Sequence, residues 1–232
     1  EEWIEQYIGK MKIAIQRLGA SIDWTTEYRT MDPDYMRKIQ LSFLMLHEKD
    51  FIYKGTHPIN YCIRCETAIA DAEVEHKNKN GTIYTIPFET ETGEVLIATT
   101  RPVYLPACVA LGVNPDDARY KHLIGGRARV PITGHEVPII ANEEVDPEFG
   151  TGAMMICTYG DKADVVAVAR YKLPVITLLD HRGHITEAGG KYAGMYIAKA
   201  QKTIIADLRE AGLIRDEKQL NQEVGLCWRC ST

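Results

Sequence analysis

The stretch CIRCETAIADAEVEH, residues 62–76, begins with two cysteines separated by two residues, and GLCWRCST, residues 225–232, contains a second pair with the same spacing. Four thiolates are enough to bind one tetrahedral Zn²⁺ ion. The 161 residues between the two pairs far exceed the roughly 15–20 of a self-contained zinc ribbon. The pattern therefore predicts that a whole domain is inserted between two halves of one structural zinc site, whose ligands are Cys62, Cys65, Cys227 and Cys230.

A disulfide framework is the main alternative to this metal site. The sequence has no apolar signal stretch and no apolar run near the roughly 18 residues that a membrane span needs. Two further cysteines, Cys108 and Cys157, lie inside apolar stretches. These features favour a reducing cytoplasm, where paired cysteines more often bind metal than form disulfides. His57 is a candidate substitute ligand, although a single histidine is more often an ordinary surface or core residue.

Composition indicates a folded globular protein. The chain has 232 residues, 45% of them hydrophobic, which is enough for a real core, and its net charge is −5. This charge argues against a generally basic nucleic-acid binder. A local basic patch is still available for a negative ligand, formed by Arg127, Arg129, Lys162, Arg170 and Lys172. Because the sequence begins with Glu1 rather than methionine, we expect a piece of a larger protein.

Two amphipathic helices are predicted in the first 50 residues. Over residues 3–18, apolar side chains recur at three- and four-residue steps, and Gly19 is placed to end this helix. In the next candidate, residues 31–50, Asp32 is suited to the N-cap and Pro33 to the first helical position. The sequence therefore predicts a helical hairpin over residues 1–50.

Short β-rich runs dominate from about residue 82. They read TIYTIPFE, VLIATT, ARVPI, EVPIIA and AMMICT, and Gly, Pro and Asn separate them. KADVVAVARYK (162–172) and AKAQKTIIADLREAG (198–212) then have the composition of helices, the second ending at Gly212. The fold class predicted is mixed α/β, with a barrel-like β-core, surrounding helices and a zinc-knuckle neck.

Three polar or glycine-rich stretches follow or interrupt apolar runs and are candidates for chemistry: residues 97–102 (IATTRP), 146–153 (DPEFGTGA) and 159–165 (YGDKADV). Each also has a purely structural interpretation. A Thr-Thr pair suits a strand, a Gly-Thr-Gly sequence suits a tight turn, and the aspartates Asp161 and Asp164 suit a helix cap. Glycines also let a ligand approach the backbone closely.

Several familiar enzyme signatures are absent from the sequence. It contains no serine in a nucleophile elbow, no HExxH sequence and no phosphate-binding glycine loop followed by lysine. A zinc ion held by four cysteines has no open position for an activated water. Hydrolysis that depends on a metal is therefore not expected.

Taken in order, these motifs resemble the connective insertion of class I aminoacyl-tRNA synthetases. The resemblance rests on residues 21–76, on ATTRP, GTG and GDKAD, and on the closing CWRC. The sequence DAEVE is most similar to synthetases of the archaeal valyl type. HIGH and KMSKS, which mark the ATP-dependent synthetic site of the class, do not occur. The resemblance implies an editing domain that hydrolyses threonine misattached to the 3′-end of tRNA(Val), within a parent synthetase.

The resemblance also assigns domains and site residues. It implies a helical connective segment over residues 1–57, a zinc-binding neck formed by 58–76 with 222–232, and an editing domain over 77–221. Asp164 is expected to hold the α-amino group of the misattached amino acid, with Asp161 assisting. Three residues match the threonine-rich peptide of the hydrolytic pocket and three match the turn beside the terminal adenosine: Thr99, Thr100 and Arg101, then Gly150, Thr151 and Gly152.

One departure from the family's pattern concerns the selection of threonine. Bacterial relatives carry Lys and Thr after the GTG turn to bind the substrate hydroxyl, whereas this chain has Met155 and Cys157. Two alternatives remain open. One is an editing domain of the isoleucyl type, which would remove valine. The other is a zinc-stapled RNA-binding module without catalytic activity, which the acidic charge and the lack of an aromatic, basic stripe disfavour.

Overall fold

The structure is a computed structural model that describes residues 2–55 and 58–232. His57, the candidate substitute ligand, lies outside the described residues. The chain divides into two compact units, Glu1–His57 and Pro58–Thr232. Among the described residues, no helix has the length and apolar character required to cross a membrane.

The first unit contains the two predicted helices, α1 (Glu2–Arg17) and α2 (Pro33–Glu48). Gly19, with φ of +74°, follows the end of α1, as expected of a glycine that terminates a helix. Asp32 occupies the N-cap position of α2, but its carboxylate accepts a hydrogen bond from the backbone of Arg29 rather than from the helix. Neither helix has a buried residue, so the predicted apolar sides are exposed to solvent.

The second unit contains nine strands and two α-helices, α3 (Lys162–Tyr171) and α4 (Ile197–Glu210), among the described residues. The strands are β1 (Tyr61–Cys62), β2 (Thr67–Ala68), β3 (Val74–Thr90), β4 (Gly93–Thr99), β5 (Cys108–Val113), β6 (Arg127–Arg129), β7 (Glu136–Ala141), β8 (Ala153–Cys157) and β9 (Asp216–Cys227).

Seven of these strands form one sheet in the order β4-β3-β6-β7-β5-β8, with β9 also paired to β3. All pairs are antiparallel except β5 with β7. Strands β4 and β8 lie at opposite ends of the hydrogen-bonded order and yet contact each other, so the sheet curls into a half-barrel. The inner core includes Phe88, Leu111 and Ile139, and Ile204 and Leu208 of α4 pack against it. The predicted mixed α/β fold with a barrel-like core is confirmed.

A long antiparallel ribbon connects this core to the cysteine pairs. Strands β3 and β9 pair without interruption from Val74 opposite Cys227 to Thr85 opposite Asp216. The boundaries predicted between neck and editing domain, at 76/77 and 221/222, fall within this ribbon. Most of its residues outside the half-barrel are exposed. Backbone pairing, rather than an apolar face, therefore holds this part of the ribbon together.

The strand predictions were incomplete. The five β-rich runs all contain strand residues, but ARVPI, residues 128–132, contributes only Ala128 and Arg129 to β6. Strand β5 was not predicted, because all six of its residues are buried and CVALGV lacks a period-two alternation. Strand β9 and the polar first half of β3 were not predicted, because their exposed residues resemble a polar loop.

Candidate active site and metal centre

The four predicted metal ligands form one cluster. Their Sγ atoms all lie within 4.8 Å of one another, and the Sγ atoms of Cys62 and Cys230 are 3.5 Å apart. A short hairpin of β1 and β2 presents the first pair, and the backbone N–H of Cys65 points at the Cys62 sulfur at 3.4 Å. The β3–β9 ribbon brings the second pair beside the first.

This donor set fits a tetrahedral metal ion. Zn–S bonds of about 2.3 Å place the sulfur atoms of a tetrahedral site about 3.8 Å apart, close to the observed spacing. All six cysteines are free thiols, so no disulfide competes for the four in the cluster. Crowding raises the pKa of Cys65 to about 12, chiefly through its hydrogen bond with Cys230. Thiols held together in this way need a cation before all four can be thiolates.

A separate cavity of about 710 Å³ opens beside the half-barrel. This volume is in the range of roughly 300–1,000 Å³ that is usual for small-molecule sites. The cavity brings together all three predicted polar stretches, which are far apart in the chain. Of the eight site residues predicted outside the cysteine cluster, seven line it: Thr99, Thr100, Arg101, Gly150, Thr151, Asp161 and Asp164. Gly152 is buried behind the lining.

The Thr-Thr-Arg segment forms the edge of the cavity where β4 ends. The Thr99 hydroxyl oxygen accepts a hydrogen bond from the backbone N–H of Arg101 at 3.1 Å. The Thr100 carbonyl accepts one from the Gln201 side chain at 3.0 Å. The Thr100 hydroxyl has no hydrogen-bond partner among the described residues, so it is the freer of the two hydroxyls to contact a ligand.

The Gly-Thr-Gly turn is held in place by the segment that contains Asp117 and Arg119. Arg119 forms an ion pair with Asp117 at 2.7 Å and donates to the carbonyl of Pro147 at 2.6 Å. A Cβ atom on Gly152, which has φ of +76°, would lie 2.3 Å from the Arg119 guanidinium and 2.8 Å from the Pro147 oxygen. Glycine is therefore required at residue 152 for packing, whereas Gly150 borders the cavity.

The two aspartates have different surroundings although both line the cavity. Asp161 is the exposed N-cap of α3, and its carboxylate accepts from the backbone N–H of Asp164 at 2.9 Å. Asp164 is 6% exposed, and its carboxylate accepts from the backbone N–H of Cys157 at 3.1 Å. Burial, and secondly the charge of Asp161, raises the pKa of Asp164 to about 7. Asp164 is thus a buried carboxyl group that a cationic ligand would ionise.

Several cavity residues were not predicted. Tyr104 and Phe149 supply aromatic surface, and Phe149 is 78% exposed, which is unusual for phenylalanine. Glu144 and Leu220 also line the cavity, and Leu220 comes from the polar strand β9. Tyr104 lies two residues after TTRP and Phe149 directly precedes GTG, so proximity to those motifs was the available signal. Met155 and Cys157, where the sequence departs from the bacterial pattern, both line the cavity.

The predicted basic patch is largely paired with carboxylates. Arg127 lies 3.1 Å and Arg129 4.0 Å from Glu136. Arg170 lies 3.5 Å from Glu144, at the border of the cavity. Of the five residues, Arg170 is therefore tied to the cavity through its ion pair, whereas Arg127 and Arg129 belong to a surface cluster on β6 and β7.

The family model described as tRNA synthetases class I (I, L, M and V) matches residues 1–222, and the chain belongs to this family. Within the family, it is similar to valine–tRNA ligases of archaea. It is 50% identical to that of Methanosarcina barkeri over 225 residues, 97% of this chain and 25% of the relative. It is 47% identical to that of Methanocaldococcus jannaschii over 233 residues, covering 100% of this chain and 26% of the relative.

The chain thus spans about a quarter of the length of the curated relatives that it matches. Among solved structures, it aligns with a LeuRS from Agrobacterium radiobacter K84 in a ternary complex with tRNA and LeuAMS. That alignment has a TM-score of 0.45 and 18% identity, and covers 96% of this chain and 36% of the other. So weak a likeness carries no argument about this chain.

Proposed function

We propose that this chain is the editing region of a valyl-type synthetase and hydrolyses the ester that joins misattached threonine to the 3′-end of tRNA(Val). The observation that carries the proposal is the cavity itself. It collects the threonine-rich peptide, the glycine turn and a buried carboxyl group in one place, within a chain similar to valine–tRNA ligases over nearly its whole length.

Asp164 is the proposed anchor for the α-ammonium group of the misattached amino acid. Its carboxyl group lines the cavity, and no arginine or lysine of the described residues forms an ion pair with it. An ammonium group would supply the missing counter-charge and lower the pKa of Asp164 from about 7. A charge-assisted hydrogen bond of this kind is stronger than a neutral one and fixes the orientation of the substrate.

The remaining residues would place the ester and a water molecule. Water attacks the ester carbonyl carbon, and collapse of the tetrahedral intermediate breaks the bond to the ribose oxygen, which leaves as the restored hydroxyl of tRNA. Thr100 lines the cavity and its hydroxyl has no hydrogen-bond partner among the described residues, so it is suited to orient the water. Thr99 holds the backbone of Arg101, and Arg101 is placed to stabilise negative charge. Because the ester is already activated, its hydrolysis depends on the correct position of the water molecule more than on a nucleophile from the protein.

The proposal also specifies threonine, rather than valine, as the amino acid that is removed. Valine and threonine are nearly isosteric, so a hydrophobic synthetic pocket cannot strongly reject threonine, and a second, hydrolytic site must do so. If the cavity hydrogen-bonds the threonine hydroxyl, a bound valine would leave that polar group unpaired, at a cost of roughly 1–3 kcal/mol. Valine should therefore be hydrolysed poorly.

The metal and the partners follow from the same proposal. We assign the four-cysteine cluster to a structural Zn²⁺, held by Cys62, Cys65, Cys227 and Cys230. Its role is to fasten the β1–β2 hairpin to the C-terminal end of β9, at one end of the β3–β9 ribbon, and it takes no part in hydrolysis. The ligand of the cavity would be the charged 3′-end of tRNA(Val), and the remainder of the parent synthetase would hold the rest of the tRNA.

Deacylation of tRNA(Val) charged with threonine, valine or isoleucine tests the proposal. The purified chain should release threonine much faster than the other two, and Asp116→Asn, which changes an exposed aspartate outside the cavity, should behave like the wild type. Preferential release of valine from tRNA(Ile) would favour the isoleucyl type. Binding of charged and uncharged tRNA alike, with no turnover at all, would favour the non-catalytic module.

A further inference from the structure

The Arg101 side chain is held in one place before any substrate is bound. Its guanidinium lies over the ring of Tyr104, with Cζ 4.3 Å from the ring centroid, and donates to the Tyr104 hydroxyl. A second N–H donates to the carbonyl of Gly160 at 3.4 Å. A free arginine side chain carries about 2 kcal/mol of rotamer entropy. These contacts remove much of that freedom in the unliganded protein.

Tyr104 is itself fixed to two sides of the cavity. Its backbone N–H donates to the Arg101 carbonyl at 3.1 Å. Its carbonyl accepts from the Cys157 thiol at 3.5 Å. The ring is half-buried, and burial raises the pKa of its hydroxyl, which therefore stays protonated and neutral at physiological pH. Tyr104 thus contacts both the segment that follows β4 and strand β8, and its ring packs against the Arg101 guanidinium.

The position of Arg101 matters because Asp164 is near. Gly160, whose carbonyl accepts from Arg101, is so close to Asp164 that a Cβ atom there would lie 2.4 Å from the carboxylate. Even so, Arg101 and Asp164 form no ion pair in the part of the chain that the structure describes. The titratable or charged groups that face Asp164 are Asp161 on its own helix, Cys157 on β8, Cys108 on β5, and Tyr104 with Arg101 after β4. Arg101 is the one cation among them.

We propose that Tyr104 is a positioning residue that keeps the Arg101 guanidinium over its ring and off Asp164. This inference rests on the proposed function, because the Asp164 carboxylate is then reserved for the ammonium group of the substrate. An arginine released from Tyr104 would reach Asp164, pair with it and compete with that ammonium. Tyr104 therefore separates two opposite charges that would otherwise neutralise each other.

The pKa of Asp164 provides a test that does not require turnover. It would be followed by ¹³C NMR of aspartate-labelled chain, with Asp164→Asn to assign the signal. Tyr104→Leu should lower it by about one unit or more, because a guanidinium close by favours the charged carboxylate. Tyr104→Leu combined with Arg101→Gln should restore it towards the wild-type value of about 7. Tyr104→Phe keeps the ring and should shift it less than Tyr104→Leu does.

An unchanged pKa in Tyr104→Leu, or a double variant that fails to restore it, would overturn the inference. Kinetics supply the second readout. Tyr104→Leu should raise the KM for threonyl-tRNA(Val) about tenfold, and adding Arg101→Gln should lower the KM again although it removes a second cavity side chain. A merely structural role for Tyr104 predicts that the double variant is worse. If the wild type shows no turnover, the proposed function fails, and the NMR titration still decides the role of Tyr104.

Discussion

The cysteine cluster and the cavity both assemble residues that are distant in the chain, but they are built differently. The cluster joins two local pairs, each set by a short turn, through the single β3–β9 ribbon. The cavity draws on β3, the end of β4, the glycine turn, β8, the start of α3 and β9. A site made of two local motifs is fixed by one long-range contact. A site made of six segments depends on the whole half-barrel.

This difference predicts that damage to the cluster should remove the metal and leave the cavity's own packing alone. Cys62→Ser replaces one of the four ligands and should therefore remove about a quarter of the metal-binding free energy, which is about 10–16 kcal/mol for a structural zinc site. This loss makes zinc binding roughly 100-fold weaker. Elemental analysis and competition with a chelating dye would measure stoichiometry and affinity. Cys108→Ala is the matched control, since Cys108 is a buried thiol outside the cluster. Equal zinc binding by Cys62→Ser and wild type would contradict the assignment.

Within the cavity, the two glycines of the turn should respond unequally. Gly150→Ala incurs the left-handed backbone cost of about 1–2 kcal/mol, and its Cβ would meet only Ala98, at an ordinary 3.5 Å. Gly152→Ala adds a clash with Arg119 and Pro147, worth about a further 1–3 kcal/mol. Urea unfolding of both variants would measure the difference. Equal losses of stability would mean that the turn relaxes and that Arg119 does not fix it.

A further prediction concerns the stability cost of the buried Asp164 carboxyl group. The folded-state pKa of Asp164, about 7, is above the ordinary value of 3.8. The folded state therefore binds more protons than the unfolded state between these values, and ionisation destabilises it as pH rises from about 4 to 7. Asp164→Asn avoids this cost, which is roughly 4 kcal/mol for a pKa raised by about 3, so its Tm relative to wild type should increase by roughly 8–16 °C across that window.

Asp116→Asn is the control for this pH effect, because Asp116 is an exposed aspartate that does not line the cavity. Its Tm should follow that of the wild type at each pH, apart from a small offset. A Tm difference between Asp164→Asn and wild type that stays constant from pH 4 to 7 would show that the Asp164 carboxyl group titrates normally.

The same contrast explains how much the sequence could predict. The spacing of the cysteines was sufficient to predict all four members of the cluster. Motif order identified most of the cavity's polar lining, amphipathic periodicity identified α1 and α2, and helix-forming composition identified α3 and α4. Leu220 could not be found, because the polar strand β9 has no apolar alternation and its position depends on register with β3. Strand β5 was missed for the opposite reason, since its continuous burial gives no periodic signal.

Tyr104 illustrates a further limit. Its sequence position beside TTRP indicates proximity to the site, but its contacts with Arg101 and with the Cys157 thiol depend on how β8 approaches the end of β4. The structural role of Gly152 likewise depends on Arg119, which no motif connects with the turn. Local patterns identify the parts of the site, whereas long-range packing decides which residues support them.

The central claim is that the ester of a misattached amino acid is hydrolysed in the cavity while Asp164 binds the α-ammonium group of that amino acid. Its most direct test is single-turnover deacylation of threonyl-tRNA(Val) by the metal-loaded chain and by Asp164→Asn. Removing one partner of a buried charge pair costs about 2–5 kcal/mol, so the rate with subsaturating enzyme should fall roughly 30- to 5,000-fold while the fold persists. A rate for Asp164→Asn equal to that of the wild type would contradict the account.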